Sequence, residues 1–382
     1  MYLENERMTE AVQTWEGYLG GLHCPERQED NVKNKLDSVF FTWLFASERK
    51  QIALMADANL IFASPLRKKS LRKEDYMYLG EQNLLLCGID HGFSTMKTAH
   101  YVFENGVKEL GGEATLLTNT MSFHNRYFKV GEGRLPLKDT KVEDGDYLLL
   151  TLAAIAKEMD YYDLARADVC IAAGLPFTRF GEEKQAFKEY LNPGNVEFQY
   201  NGKDYRVCCK DVFLYPQCYA AVADRLGKLP AELLIVDIGS KTVDIIHTRK
   251  HVPVESDCIT IPSALIKCMS DINNVVYRKT NRTLTEEQIQ QVMMYGNAAY
   301  SDKIVQIVKD ELGVFARGIE ATLREHGFDT EMLPVVYVGG GAGVMKRFGS
   351  IEGRNIMHIE DVRANAIGYE YLANQQLKRK QL

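Results

Sequence analysis

Leu84-Leu85-Leu86-Cys87-Gly88-Ile89-Asp90-His91-Gly92-Phe93-Ser94-Thr95 and, about 150 residues later, Leu233-Leu234-Ile235-Val236-Asp237-Ile238-Gly239-Ser240-Lys241-Thr242 share one construction. Each is an apolar run that ends in Asp, glycine and hydroxyl residues. A run of that length predicts a buried strand. The Asp-x-Gly behind it predicts a tight turn whose backbone N–H groups are free to face an anion. Taken singly, either segment is also what an ordinary strand-to-helix turn looks like. The duplication implies two related half-molecules closing on one ligand. A third element, Pro334-Val335-Val336-Tyr337-Val338-Gly339-Gly340-Gly341-Ala342, is another strand pattern. It ends in residues without side chains, where a flat group such as a nucleoside can lie against backbone.

Composition fits a large α/β core. The chain has 382 residues, 46% hydrophobic and 26% charged, with a formal net charge of −6. Such a balance argues against general affinity for nucleic acid. No stretch approaches the roughly 18 consecutive apolar residues that span a bilayer, and the polar N-terminus lacks the pattern of a signal peptide. The expected location is the cytoplasm, with no membrane partner. Eight cysteines form no Cys-x-x-Cys pair, and Cys87, Cys170 and Cys258 lie in or beside apolar runs, as buried small hydrophobes do. The adjacent pair Cys208-Cys209 has no suitably spaced histidine or second pair to make a metal site.

The arrangement resembles the actin, Hsp70 and sugar-kinase superfamily, and within it the bacterial actin-like plasmid-segregation ATPases called ParM or StbA. The strings that carry the resemblance are Gly88-Ile89-Asp90-His91-Gly92, Ala173-Gly174-Leu175-Pro176, Tyr215-Pro216-Gln217, Asp237-Ile238-Gly239, Val338-Gly339-Gly340-Gly341-Ala342 and Asn365-Ala366-Ile367-Gly368-Tyr369. It covers roughly residues 83 to 377. What it implies is an α/β fold of duplicated actin-like (ribonuclease H-like) domains with a nucleotide cleft between them.

The chain divides into three segments. Residues 1–82 differ from the rest: they hold both tryptophans, Trp15 and Trp43, show helical spacing around Leu36, Phe40, Phe41 and Leu44, and end in a charged stretch. An appended helical module, a fused fragment and an over-extended reading frame with its true start at Met77 are all open. Residues 83–231 form the first actin-like domain. Strand patterns are expected at Ala114–Leu117, Tyr127–Arg134 and Val169–Ala173, and a helix at Tyr147–Met159. Residues 232–382 form the second, with strands at Leu233–Val236 and Val243–His247 and helices at Glu286–Tyr295 and Asp302–His326. Thr283-x-x-Glu286 has the form of a capping box. The closing helix, Val362–Leu377, is expected to pack back on the first domain.

Asp90 and Asp237 end the two glycine-turn strands, where carboxylates can hold Mg²⁺ through its water shell, since this ion keeps most of its waters. Each could instead cap its own turn. The resemblance implies further roles. Lys97 reaches back to a phosphate, while Gly92, Ser94, Thr95, Gly239, Ser240 and Thr242 surround the phosphates and Gly339, Gly340, Gly341 and Ala342 back the adenosine. The base draws also on the Glu286–Tyr295 helix. Gln217 matches the residue that orients the hydrolytic water. An amide is no general base near neutral pH, so its work would be positioning, and hydrolysis of ATP, or of GTP, should be slow.

Two departures stand out, Ser240 and Ala264, each where relatives favour glycine. Asp244 repeats an Asp that closes the second hairpin in relatives. The function implied is a cytoskeletal ATPase that self-assembles into filaments on Mg-ATP. It would move a plasmid or mobile element through a DNA-binding adaptor of ParR type, without binding nucleic acid directly. A non-polymerising nucleotide-binding regulator and a small-molecule kinase of the same superfamily are the alternatives.

Overall fold

The computed structural model describes residues 78–79, 84–136, 142, 145–351, 353 and 355–380. The expectations for residues 1–82 therefore lie outside the described residues, apart from the two-residue strand β1 (Tyr78–Leu79). Two sheets organise the described chain. The first apolar run is β2 (Leu84–His91), buried except at its first residue. It pairs antiparallel with β1 on one end and with β3 (Thr95–Lys97) at the other, which in turn pairs with β4 (Val102–Glu104). Beyond these, β5 (Val107–Leu110), β6 (Thr120–Phe123) and β7 (Arg126–Val130) are joined through β7 as antiparallel neighbours.

Helix α1 (Asp146–Tyr161) then crosses to β8 (Arg166–Leu175), which runs parallel to β2. Parallel strands need such a crossover. α1 begins with Asp146, whose charge suits a helix N-terminus, and buries Leu149, Leu150, Leu152, Ala153, Ile155, Ala156 and Met159. After α2 (Phe177–Tyr190), the hairpin of β9 (Asn195–Tyr200) and β10 (Lys203–Pro216) returns the chain along β8, again parallel, with a bulge between Cys209 and Asp211. The strand order β4-β3-β2-β8-β10-β9-β6-β7-β5 leaves β2, β8 and β10 central, with their C-terminal ends on one edge.

A 3-10 helix, Ala220–Lys228, leads to the second sheet. Here β11 (Leu233–Ile238) forms a hairpin with β12 (Val243–Arg249), and β13 (Val252–Pro253) and β14 (Ile259–Ile261) both pair with β12. Three helices come next: α3 (Leu265–Thr280), α4 (Glu286–Tyr295) and α5 (Asp302–Glu325). On α5 the buried positions Ile304, Val305, Val308, Leu312, Ala316, Ile319 and Leu323 recur at the spacing of one helical face. β15 (Val335–Val338) runs parallel to β11, and after α6 (Ala342–Phe348), β16 (Ile356–Ile359) runs parallel to β15.

The last helix, α7 (Ala364–Lys380), puts Tyr369 and Ala373 in one apolar cluster with Leu86, Cys170, Ala172 and Phe213 of the first sheet. The 3-10 helix does the reverse, packing Ala221 and Val222 on Leu233 and Ile235 of the second. The two segments cross at Gly368, where any Cβ would collide with the Ala220 carbonyl oxygen. Among the described residues no helix is long and apolar enough to cross a membrane.

Three sequence expectations are corrected. Ala114–Leu117 is a loop, not a strand, with Leu116 73% exposed. The Leu116 carbonyl is taken by the Thr120 hydroxyl and the Lys129 ammonium instead of a neighbouring strand. The capping box is Thr285 with Gln288 rather than Thr283 with Glu286: the Thr285 hydroxyl accepts from the Gln288 N–H, and the Gln288 side chain returns the bond to the Thr285 N–H. Cys258 is only partly buried, unlike Cys87 and Cys170.

Candidate functional site

Both aspartates close their strands, and both face a partner across a hairpin. In the first hairpin Asp90 lies opposite Lys97, and the Lys97 ammonium sits 3.0 Å from the Asp90 carboxylate. In the second, Asp237 lies opposite Asp244. The spacing is seven residues in each, so the two hairpins are built alike, but one carries opposite charges and the other like charges. Asp244 is buried and accepts from the hydroxyls of Thr242 at 3.2 Å and Thr260 at 2.6 Å. Asp237 accepts from Nδ2 of Asn365 at 2.7 Å.

Burial raises the Asp237 carboxyl to about 7, with the charges of Asp244 and Asp90 pushing the same way and the Asn365 hydrogen bond and Lys97 opposing them. Asp90 and Lys97 of the other hairpin are thus close enough for their charges to act on Asp237. The turns also touch, with the Lys241 ammonium 4.4 Å from the centre of the Phe93 ring. A cation over an aromatic face is worth about 0.5–1 kcal/mol when exposed. His91 turns the other way, into the core, where it meets the Thr151 hydroxyl at 2.9 Å and packs edge-on against Phe187.

The turns hold their shape through glycine. The Gly92 N–H donates to the Asp90 carbonyl, and a Cβ on Gly92 would strike the Thr95 carbonyl and come within 2.7 Å of Lys97 Nζ. The Gly239 N–H donates to the Thr242 carbonyl at 3.0 Å. Ser240 is not among the described residues with positive φ, so its side chain imposes no left-handed strain. Ala264 is buried, and its carbonyl accepts from the Cys268 N–H at the start of α3.

Gly339 does need glycine: its φ is +79°, and a Cβ there would run into the Asp237 carboxylate. Gly341 is pinned against the Ile238 side chain, whereas Gly340 has only an ordinary contact with Leu265. The chain's own packing therefore accounts for two of the three glycines. Ala342 is buried at the start of α6, whose Val344 shares an apolar cluster with Ile289, Val292 and Met293 of α4.

Gln217 follows Pro216 at the end of β10. Its N–H donates to the Leu175 carbonyl of β8, and its carbonyl accepts from the Tyr219 N–H. Since β2, β8 and β10 are consecutive neighbours in the sheet, Gln217 lies two strand spacings from Asp90, about 10 Å. Ligands of open α/β sheets bind outside the carboxyl ends of the strands, which is where Asp90, Gln217, Asp237 and Gly339 all sit.

Sequence reasoning missed three contributors. Cys218, fully buried beside Gln217, has a φ of +70°, a conformation that costs a non-glycine residue roughly 1–2 kcal/mol. Asn365 lies in one of the strings that carry the family resemblance, yet its partner Asp237 is 128 positions away, a distance no local pattern reports. Arg134, in the segment after β7, makes a two-pronged ion pair with Glu286 at the start of α4, at 3.0 and 2.6 Å.

The site fits an anionic ligand with a divalent cation by two observations. The Ser94 hydroxyl oxygen is buried within the first turn with no hydrogen-bond partner, a state polar groups rarely keep without a ligand or water. Each turn also follows a strand that carries a buried carboxylate near its end, Asp90 paired with Lys97 and Asp237 with no cation against it but only the Asn365 amide. Among the described residues no group of three or more His, Cys, Asp or Glu is placed to hold a metal ion. A cation here would keep most of its water, as Mg²⁺ does.

Residues 88–219 match the family model described as actin-like proteins, N-terminal domain. An archaeal actin homolog from Thermoplasma volcanium is 23% identical over 292 residues, covering 70% of this chain and 88% of that protein. Among solved structures, an archaeal actin homolog superposes with a TM-score of 0.63 at 18% identity, over 76% of this chain and 99% of that one. A ParM protein from psk41 in its apo form superposes with a TM-score of 0.62 at 16% identity, over 79% and 100%. The fold is therefore actin-like, and the resemblance to ParM-type proteins read in the sequence is borne out.

Proposed function

Starting from an actin-like fold whose residues 88–219 match the actin-like N-terminal model, we propose that this chain binds Mg-ATP between two lobes, residues 83–231 and 232–382, and hydrolyses it slowly. The same cycle assembles it into filaments that segregate a plasmid or other mobile element in the cytoplasm. The observation that carries this reading is the meeting of the two glycine turns from separate sheets, with the Lys241 ammonium over the Phe93 ring and Asp90 among the charges that act on Asp237. Similar structures support the ligand: an archaeal actin homolog is known in complex with ADP and the Bacillus thuringiensis ParM with ATP. They support assembly too, since Alp12 is known as a filament.

Asp90 and Asp237 would hold the water shell of Mg²⁺, which when bound supplies positive charge to neutralise the phosphates. Lys97, with Gly92, Ser94 and Thr95 on one turn and Gly239, Ser240 and Thr242 on the other, binds the phosphates. Ser94 gains the partner it lacks. Gly339, Gly340, Gly341 and Ala342 back the nucleoside. Gln217 orients the attacking water by hydrogen bonds and takes no proton, so the rate rests on positioning. Nucleotide that binds only the closed cleft biases the chain toward it by about 4 kcal/mol when present at a thousandfold its dissociation constant. Such a bias is enough to decide between monomer and polymer.

Sedimentation after adding ATP and Mg²⁺ tests the reading. The chain is expected to pellet with ATP and to redissolve as phosphate is released, and Asp237→Ala to stay in the supernatant. Tight nucleotide binding without any pelleting would leave the non-polymerising regulator in its place. A DNA-binding adaptor of ParR type is the expected partner at the filament end.

A further inference from the structure

One side chain touches both the carboxylate of the second turn and the segment that carries Gln217. Asn365, on the first turn of α7 and buried, donates from Nδ2 to Asp237 at 2.7 Å and accepts the Cys218 N–H on Oδ1 at 3.0 Å. The partners are of opposite kind: a carboxylate accepts and a backbone N–H donates, so the amide can sit only one way round. Cys218 directly follows Gln217 and is held in a left-handed conformation. Such a conformation persists only where its surroundings enforce it. Asn365 holds its N–H, and its thiol is buried 3.5 Å from the carbonyls of Ile235 and Asp244 on the second sheet. Gln217 is thereby referenced to the second sheet through its neighbour.

Resting on the ATPase reading above, we propose that Asn365 is a positioning residue that fixes the Gln217 segment relative to Asp237 and so governs the rate of hydrolysis rather than the binding of nucleotide. In that reaction water adds to the γ-phosphorus while the bond to the β–γ bridging oxygen breaks. ADP leaves with that electron pair, and one proton of the water stays on the phosphate product while the other passes to solvent. Asn365 touches none of these atoms. It sets where the Gln217 amide stands when the water is held.

Steady-state ATP hydrolysis by the full chain, with Asn365→Ala, Gln217→Ala and the double variant, tests this. Asn365→Ala is expected to lower kcat roughly tenfold with KM within about twofold. In the Gln217→Ala background the same change should alter kcat by less than about twofold, because the two act as one unit. Asn365→Ser, smaller but still polar, serves if the alanine variant does not fold, with the same expectation of a selective loss in kcat. Unchanged kcat, a loss carried by KM, or full multiplication of the two single effects would each overturn the inference while wild-type turnover keeps the ATPase reading intact. Absence of turnover in the wild-type chain overturns both.

Discussion

At residue scale, the asymmetry between the hairpins matters most. Lys97 neutralises Asp90, while Asp237 faces Asp244 and depends on a neutral amide. With its carboxyl raised to about 7 against an ordinary value near 4, Asp237 binds its proton more tightly in the folded chain than in the unfolded one. Between about pH 4 and pH 7 the folded state holds the extra proton, so stability falls as pH rises through that window and levels off above it. Thermal unfolding without nucleotide should show this. Asp237→Asn is expected to raise Tm by roughly 5 °C at pH 8 and to match the parent near pH 4; equal Tm at both pH values would show that Asp237 carries no such cost. The resemblance to the actin-like family, rather than the seven-residue spacing by itself, pointed to Lys97; its place across the hairpin from Asp90 came with the structure. What the letters did not give was the charge Asp237 would feel from the other hairpin.

Among the elements, those with long apolar periodicity were legible in the sequence. Helices expected at Tyr147–Met159 and Asp302–His326 form as Asp146–Tyr161 and Asp302–Glu325, because a whole buried face repeats in the letters. A short piece failed: Ala114–Leu117 has a strand's composition, but side chains of Thr120 and Lys129 took the Leu116 carbonyl. The capping box was displaced by two residues because two threonines compete, each with a suitable partner three positions on, and the Glu286 carboxylate is taken by Arg134 while Gln288 is left to return the bond to Thr285. Thr285→Ala is therefore expected to lower unfolding stability by about 1 kcal/mol in chemical denaturation. Thr283→Ala should be near neutral. A reversed ranking would assign the cap to Thr283 after all.

Over the whole molecule, the lobes meet at several places: Phe93 with Lys241 at the turns, Thr178 with Thr260 at 2.8 Å, and Arg134 with Glu286. The Arg134–Glu286 pair is partly exposed, so its contribution is modest, under about 1 kcal/mol. Arg134→Ala is expected to speed release of a fluorescent ATP analogue by roughly two- to fivefold, with a smaller difference at high salt, where the parent's pair is screened. Identical release rates at low salt would remove this contact from the control of opening.

The sequence by itself determined the two glycine-turn strands, their aspartates and the α/β character, because burial and turn geometry are written in runs of adjacent letters. Tertiary structure alone decided that the two glycine turns meet through Lys241 and Phe93, that Asn365 joins Asp237 to Cys218, and that the 3-10 helix and α7 cross between the sheets at Gly368. These are meetings of residues far apart along the chain. Their energies depend on distance and burial in the folded state, and no local pattern of side chains encodes either.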